Sequence, residues 1–389
     1  MLGLRCLRLL CLSALLAGPL SACAGGPLLT SLAATPARIT PNGDRVDDSA
    51  TIAYSLASRA SVSIYLLGED GQRHVLREGQ PRPTGSYEAS FAGAVQLPGE
   101  PAQRQVVPAG TYQVVVEAAD DSGRREERRT TLTVADPDRS LPALDAVAAL
   151  PGEISPYDPD LPAETRISYS LAEEAMVTLY VVEPDGRRSR LTEPARQAAG
   201  AHSQVWDGLI RNKVPRAGTY GVVVRAEDAA GNASERATAV TISGTEEPDA
   251  SIVRVDFSPR KIISGGVIKV TITVRNTGTV TLRTHGPDPG YEYTTLDTFA
   301  SVEGGRYADK PRLWRVGVDW AGGLGSEGAR YPYRWGLGKD LAPGEEVTVE
   351  GYIRVLEEFP RLRMYAGLIH EKVGYHVDKV GQQIIEVSK

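Results

Sequence analysis

The chain has 389 residues, 43 of them basic and 49 acidic, and is 41% hydrophobic and 24% charged. That length suits two to four domains, and the composition is globular, which excludes disorder throughout, collagen and a long coiled coil. The net charge of −6 argues against broad nucleic-acid contact, which needs a basic face.

The amino terminus carries Arg5 and Arg8 ahead of an apolar stretch from Leu9 to Leu20. The stretch is short for a membrane span and has the form of a signal peptide, residues 1–22. Leu20-Ser21-Ala22-Cys23 resembles the lipobox of bacterial lipoproteins. The resemblance implies lipid on Cys23, export and anchoring to the bacterial membrane at the cell surface. An ordinary signal peptide cut near Ser21-Ala22-Cys23-Ala24 is the alternative. The other cysteines, Cys6 and Cys11, leave with the signal, so the exported chain has no disulfide and no cysteine nucleophile. Residues 23–35 read as the lipidated cysteine and a tether.

A repeat follows. The stretch from Ile39 and the stretch from Ile154 align without a gap, pairing Tyr54 with Tyr169, Tyr65 with Tyr180, and Asp70-Gly71 with Asp185-Gly186. Their later halves align PAGTYQVVVEAADDSG (108–123) with RAGTYGVVVRAEDAAG (216–231). The first copy is longer between Phe91-Ala92-Gly93 and Pro108; the second has Trp206-Asp207-Gly208 at the matching place. Alternating, β-branched segments bounded by Asp-Gly turns predict strands, and several such strands per copy predict a β-sandwich. The repeats span 36–135 and 151–243, with linkers at 136–150 and 244–250.

The second copy carries Trp206-Asp207-Gly208, Ala217-Gly218-Thr219-Tyr220 and Asp228-Ala229-Ala230-Gly231-Asn232. The first carries Pro41-Asn42-Gly43-Asp44 and Ala109-Gly110-Thr111-Tyr112. Together they resemble the Ig-like domain of flagellar hook-capping proteins over about half the chain. The resemblance implies a fold and an exported setting, not a flagellar role. The third unit, 251–389, pairs Asn276-Thr277-Gly278 with a late Leu341-Ala342-Pro343-Gly344-Glu345 strand entry and resembles Ig-like adhesion modules. A weaker likeness is to Ig-like domains with several tryptophans.

Three sets of residues are candidate sites. Asn42, Asp44, Asp47 and Asp48 crowd hard oxygen ligands together, as Ca²⁺ requires; an Asx turn at the first strand explains the same residues. The third unit holds three of four tryptophans and eight of sixteen tyrosines. Trp320, Trp335, Tyr331 and Tyr333 lie beside Gly-rich turns and are expected to expose rings for a sugar or a protein, whereas Trp314, alternating with Arg315, looks inward. His370 and His376 flank Glu371 as a metal candidate, against a simpler hairpin around Lys372-Val373-Gly374. No nucleophile elbow, phosphate loop or dinucleotide fingerprint appears.

The expectation is an all-β protein of three tandem antiparallel Ig-like sandwiches after a signal peptide and tether. It is expected to be no enzyme, with no cofactor beyond candidate Ca²⁺. Its expected partners are the membrane through the lipid and an envelope protein or polysaccharide, with no nucleic acid. Its expected role is adhesion, protein interaction or envelope scaffolding; the alternative is carbohydrate or cell-wall binding by the third unit's aromatic residues.

Overall fold

A computed structural model describes residues 26–321 and 330–389, so the signal peptide and Cys23 lie outside the described residues. The chain divides into two compact units. The first takes residues up to 141 with 229–232; the second takes 142–228 with 233–389.

The first unit is one sandwich. Its strands are β1 (Leu29–Thr35), β2 (Arg38–Ile39), β3 (Ala50–Leu56), β4 (Ala60–Leu67), β5 (Arg73–Arg82), β6 (Gly85–Phe91), β7 (Ala94–Leu97), β8 (Glu100–Val106), β9 (Gly110–Ala119) and β10 (Arg125–Val134). One sheet runs β1-β3-β6 and the other β2-β10-β9-β4-β5. Strict alternation in β3 sends Ile52, Tyr54 and Leu56 inward against Val62, Ile64, Val114 and Val116. The extra length of the first copy forms the β7–β8 hairpin.

The second unit holds two sandwiches. The first of them comprises β11 (Leu144–Leu150), β12 (Glu153–Ile154), β13 (Thr165–Leu171), β14 (Ala175–Val182), β15 (Arg188–Arg190), β16 (Ala195–Gln197), β17 (Gly200–Trp206), β18 (Gly218–Glu227) and β19 (Ala233–Ile242). Here β11-β13-β17 face a sheet in which β14 pairs β18, β18 pairs β19 and β12 lies along β19. The third sandwich comprises β20 (Ala250–Ser258), β21 (Lys261–Ile263), β22 (Val267–Asn276), β23 (Glu292–Thr294), β24 (Trp314–Trp320), β25 (Tyr333–Gly336), β26 (Glu346–Arg354), β27 (Phe359–His370) and β28 (Gly374–Ser388). Its sheets run β20-β22-β26-β23 and β21-β28-β27-β24-β25. The protein is thus all-β, a tandem of three Ig-like sandwiches. Pairing is mostly antiparallel; each sandwich adds a short parallel pair, β2–β10, β12–β19 or β21–β28, and the third adds a second, β23–β26.

Two boundaries differ from the sequence expectation. Leu29–Thr35, assigned to the tether, pair with β3, and Leu144–Leu150, assigned to a linker, pair with β13. Both are first strands of their sandwiches. Their small residues and weak alternation hide them, because each needs a partner strand to bury its few large side chains.

The motif residues have local physical reasons. Tyr112 and Tyr220 of the two Ala-Gly-Thr-Tyr segments donate their hydroxyls to the carbonyls of Pro108 (2.8 Å) and Arg216 (2.7 Å). Each ties a core strand to the loop before it, in the manner of a tyrosine corner. Trp206 is buried and donates its indole N–H to Leu209 O, while Asp207 Oδ1 accepts Leu209 N–H, which closes the Trp-Asp-Gly turn. Asn276 links both pieces of the third unit's motif: its Nδ2 donates to Val280 O and Leu341 O, both at 2.8 Å, and its Oδ1 accepts Gly278 N–H.

Candidate functional site

The aromatic residues expected on the surface of the third unit are in its core. Trp320 is 6% exposed, and Tyr331, Tyr333 and Trp335 are fully buried. Trp335 stands edge-on to Tyr293 with centroids 5.2 Å apart, and Trp320 stacks on Tyr333 at 5.4 Å. Glycines make the room: a Cβ at Gly351 would overlap the indole of Trp335, and a Cβ at Gly317 would come within 2.8 Å of Tyr331 Cβ. The Gly-rich surroundings that suggested exposed turns are instead the space the rings occupy. These four residues therefore offer no ring face to a sugar. Trp314 faces inward, as its alternation with Arg315 predicted.

The acidic loop closes on itself. Asp48 accepts the N–H groups of Asn42 and Gly43 on Oδ1 (both 3.1 Å) and of Arg45 on Oδ2 (2.7 Å). Asp44 Oδ1 accepts Val46 N–H, Asn42 Oδ1 accepts Asp44 N–H, and the carbonyl of Asp47 accepts Thr40 N–H. Among the described residues no three His, Cys, Asp or Glu side chains come together to hold a metal. The set does not fit Ca²⁺, which takes six to eight oxygens. Its oxygens serve the turn, as short polar side chains do where backbone donors lack a strand partner.

His370, Glu371 and His376 also do separate structural work. His370 is buried; its Nε2 donates to Arg312 O (3.1 Å), and its ring stacks on Trp314. Burial lowers its pKa from 6.5 to about 4. His376 Nε2 lies 2.8 Å from Asp249 Oδ1. Hydrogen bonds from Thr277 and then His376 hold the Asp249 carboxyl below its ordinary range. Residues 371–373 turn β27 into β28, as the hairpin reading expected. Glu371 is buried between two guanidinium groups, with Oε1 at 3.1 Å from Arg315 Nη1 and Oε2 at 2.5 Å from Arg334 Nη1. Composition alone gives no sign of this trio. The hint in the sequence is that Arg315 and Arg334 alternate with inward-facing rings.

Within the second unit, Arg312 joins the second and third sandwiches. It is 8% exposed, and its Nη1 and Nη2 donate to Ser155 O (2.8 Å) and Leu161 O (2.5 Å). Its own peptide is held at the turn after β27, since Arg312 N–H donates to Glu371 O (2.7 Å). Arg283 adds an ion pair to Asp160 at 2.8 Å. Beside these contacts lies a cleft of about 220 Å³ walled by Tyr157, Pro159, Pro248 and Trp314. It is smaller than the roughly 300–1,000 Å³ of small-molecule sites.

The opposite end of the third sandwich carries exposed aliphatic side chains. Ile263 is 63% exposed, Leu296 72% and Leu356 40%. Their segments are bound to one another. Gly265 N–H donates to Val355 O, Ser264 Oγ to Leu356 O, and Leu356 N–H to Thr295 Oγ1. The end of β21 and two loops thus bring three large apolar residues to one rim. Scattered single apolar residues are ordinary on a protein surface; here three lie on segments bonded to one another.

No family model matches the sequence, and no curated protein matches it. Among solved structures the chain is similar to the native conformation of Escherichia coli alpha-2-macroglobulin, at 11% identity over 93% of this chain, with a TM-score of 0.24. It spans 23% of that protein's chain. It is also similar to the FN1–FN3 domains of chicken CNTN1, at 12% identity over 93% of this chain and 98% of that one, with a TM-score of 0.29. A Ca²⁺-stabilized adhesin that helps an Antarctic bacterium bind ice is similar at 12% identity over 89% of this chain and 83% of that one, with a TM-score of 0.21. The sandwich architecture described above rests on the strand pairing itself.

Proposed function

We propose that this is a lipid-anchored, extracytoplasmic and non-catalytic protein whose sandwiches present a binding surface to a partner protein, in adhesion or in scaffolding of the envelope. The observation that carries the reading is the rim of Ile263, Leu296 and Leu356, an apolar surface on loops at the end of the third sandwich away from Arg312. Leu20-Ser21-Ala22-Cys23 supports the anchor. A thioether-linked lipid would give membrane affinity at about 0.8 kcal/mol per buried methylene, without a spanning segment. The buried rings of Trp320, Tyr331, Tyr333 and Trp335 support a protein partner over a sugar, because the rim itself is aliphatic.

Two measurements test this. In the producing cell, wild type should incorporate labelled fatty acid and sediment with membranes, and Cys23→Ser should do neither; a Cys23→Ser form that stays membrane-bound rules out the anchor. A photo-crosslinker at Leu296 should trap a defined envelope protein. The Ile263→Glu/Leu356→Glu variant should lose that adduct at an unchanged melting temperature. Equal trapping by the variant would rule out the rim.

A further inference from the structure

The third sandwich covers one of its own edges, and the second leaves the corresponding edge open. In the third, β23 lies parallel to the end of β26, with Glu292 opposite Tyr352, Tyr293 opposite Ile353 and Thr294 opposite Arg354. The middle residue of that short strand enters the sandwich. Tyr293 is fully buried, stands against Trp335, and donates its hydroxyl to Arg334 O at 2.6 Å. Its neighbour Glu292 stays at the surface and pairs with Arg354 at 2.7 Å.

The strand equivalent to β26 in the second sandwich is β17, since each pairs with the strand that follows the short parallel one. Among the described residues β17 pairs only with β13. Its last residues, Gln204, Val205 and Trp206, border a cleft of about 520 Å³. Across the cleft are Val181 and Leu191 of the facing sheet region, with Ile210 and Arg211 of the following turn. This volume lies within the range of binding sites; its walls are more polar than apolar, with Val181, Leu191 and Ile210 in the apolar part. Val205 is 37% exposed.

We propose that the β17 edge and this cleft bind an extended segment of a partner protein. The segment would add a parallel strand beside Gln204–Trp206 and place one aromatic or large apolar side chain in the cleft, with polar residues on either side. The backbone groups of an edge strand supply the affinity, once Val205 O gives up the bond it accepts from Gln204 Nε2 (3.0 Å), and the pocket for one alternate side chain supplies the selectivity. The β23 segment shows which chemistry such an edge accepts in this protein. The inference concerns a different sandwich from the apolar rim and stands whether or not Cys23 carries lipid.

The test uses the full chain and a synthetic peptide of the β23 region, Gly-Tyr-Glu-Tyr-Thr-Thr-Leu, residues 290–296. Saturating peptide should slow amide hydrogen exchange of 201–206 by about tenfold, the change expected when free edge amides gain partners. A peptide carrying Tyr293→Ala should bind at least about tenfold more weakly, because it leaves the cleft empty. Val205→Lys should abolish protection at an unchanged melting temperature, since this side chain is already partly exposed. Lack of protection at millimolar peptide overturns the proposal. So does equal protection in Val205→Lys, or protection confined to β26, where the peptide would merely exchange with the resident strand.

Discussion

The imidazole of His370 stacks on the indole of Trp314, with ring centroids 4.5 Å apart and planes 16° from parallel. On its other side it meets Tyr157 of the second sandwich, at 6.3 Å between centroids. Enclosure of this kind favours the neutral ring. Burial lowers its pKa from 6.5 to about 4, an effect partly offset by the hydrogen bond to Arg312 O and reinforced by His376 and Arg312.

The sign of the pH dependence follows. Between those two values the unfolded chain binds a proton that the folded one does not, so stability is full above pH 6.5 and falls as pH drops towards 4. The loss is on the order of 3 kcal/mol if all of the shift is expressed. Urea unfolding of wild type and His370→Gln at pH 7 and pH 4.5 should show the advantage of wild type shrinking in acid. A pH-independent difference would mean that His370 binds its proton equally well folded and unfolded, so that its enclosure does not disfavour the charged ring.

Glu371 compensates two buried cations, Arg315 and Arg334. Glu371→Gln leaves both guanidinium groups in a low-dielectric site with no counter-charge. Breaking a buried pair by removing one partner costs about 3–5 kcal/mol. Chemical denaturation should register that loss. A change below about 1 kcal/mol, the size of a surface pair, would show that water reaches the trio.

Gly317 and Gly367 lie opposite each other in β24 and β27, and Tyr331 fills the space above both. Gly367→Ala should therefore destabilise the third sandwich by about 1–3 kcal/mol through overpacking. The penalty should shrink in a Tyr331→Ala background, because the clash partner is gone. Additive losses in the double variant would place the cost in the backbone of Gly367.

Arg312→Ala removes the donors to Ser155 O and Leu161 O. A buried carbonyl left without a partner costs about 1–3 kcal/mol. The second and third sandwiches should then unfold in separate transitions, and protease should cut the 244–250 segment faster. Retention of a single transition would assign the joint to the Tyr157–His370 contact and the Arg283–Asp160 pair.

Much of the architecture was legible because its causes are local. Alternation in Ala50–Leu56 and Thr165–Leu171 names both the strand and its inward face. The Ala-Gly-Thr-Tyr segments carry their own corner, closed within five residues by Tyr112 and Tyr220. The first strands of two sandwiches were not legible, because Leu29–Thr35 and Leu144–Leu150 owe their conformation to the strand beside them.

The sequence by itself determined that this is a β-protein with an internal repeat, since period-two patterning, Gly turns and the recurrence of motifs are properties of neighbouring residues. Only the tertiary structure decided which rings are surface and which are core. Trp335 and Tyr331 are buried because Gly351 and Gly367, on other strands, leave their volumes empty. It also decided which sandwich edge stays open, because β23 reaches β26 and no described strand takes the same place beside β17. Both outcomes depend on pairings between residues far apart in the chain, and packing, unlike patterning, has no local signature.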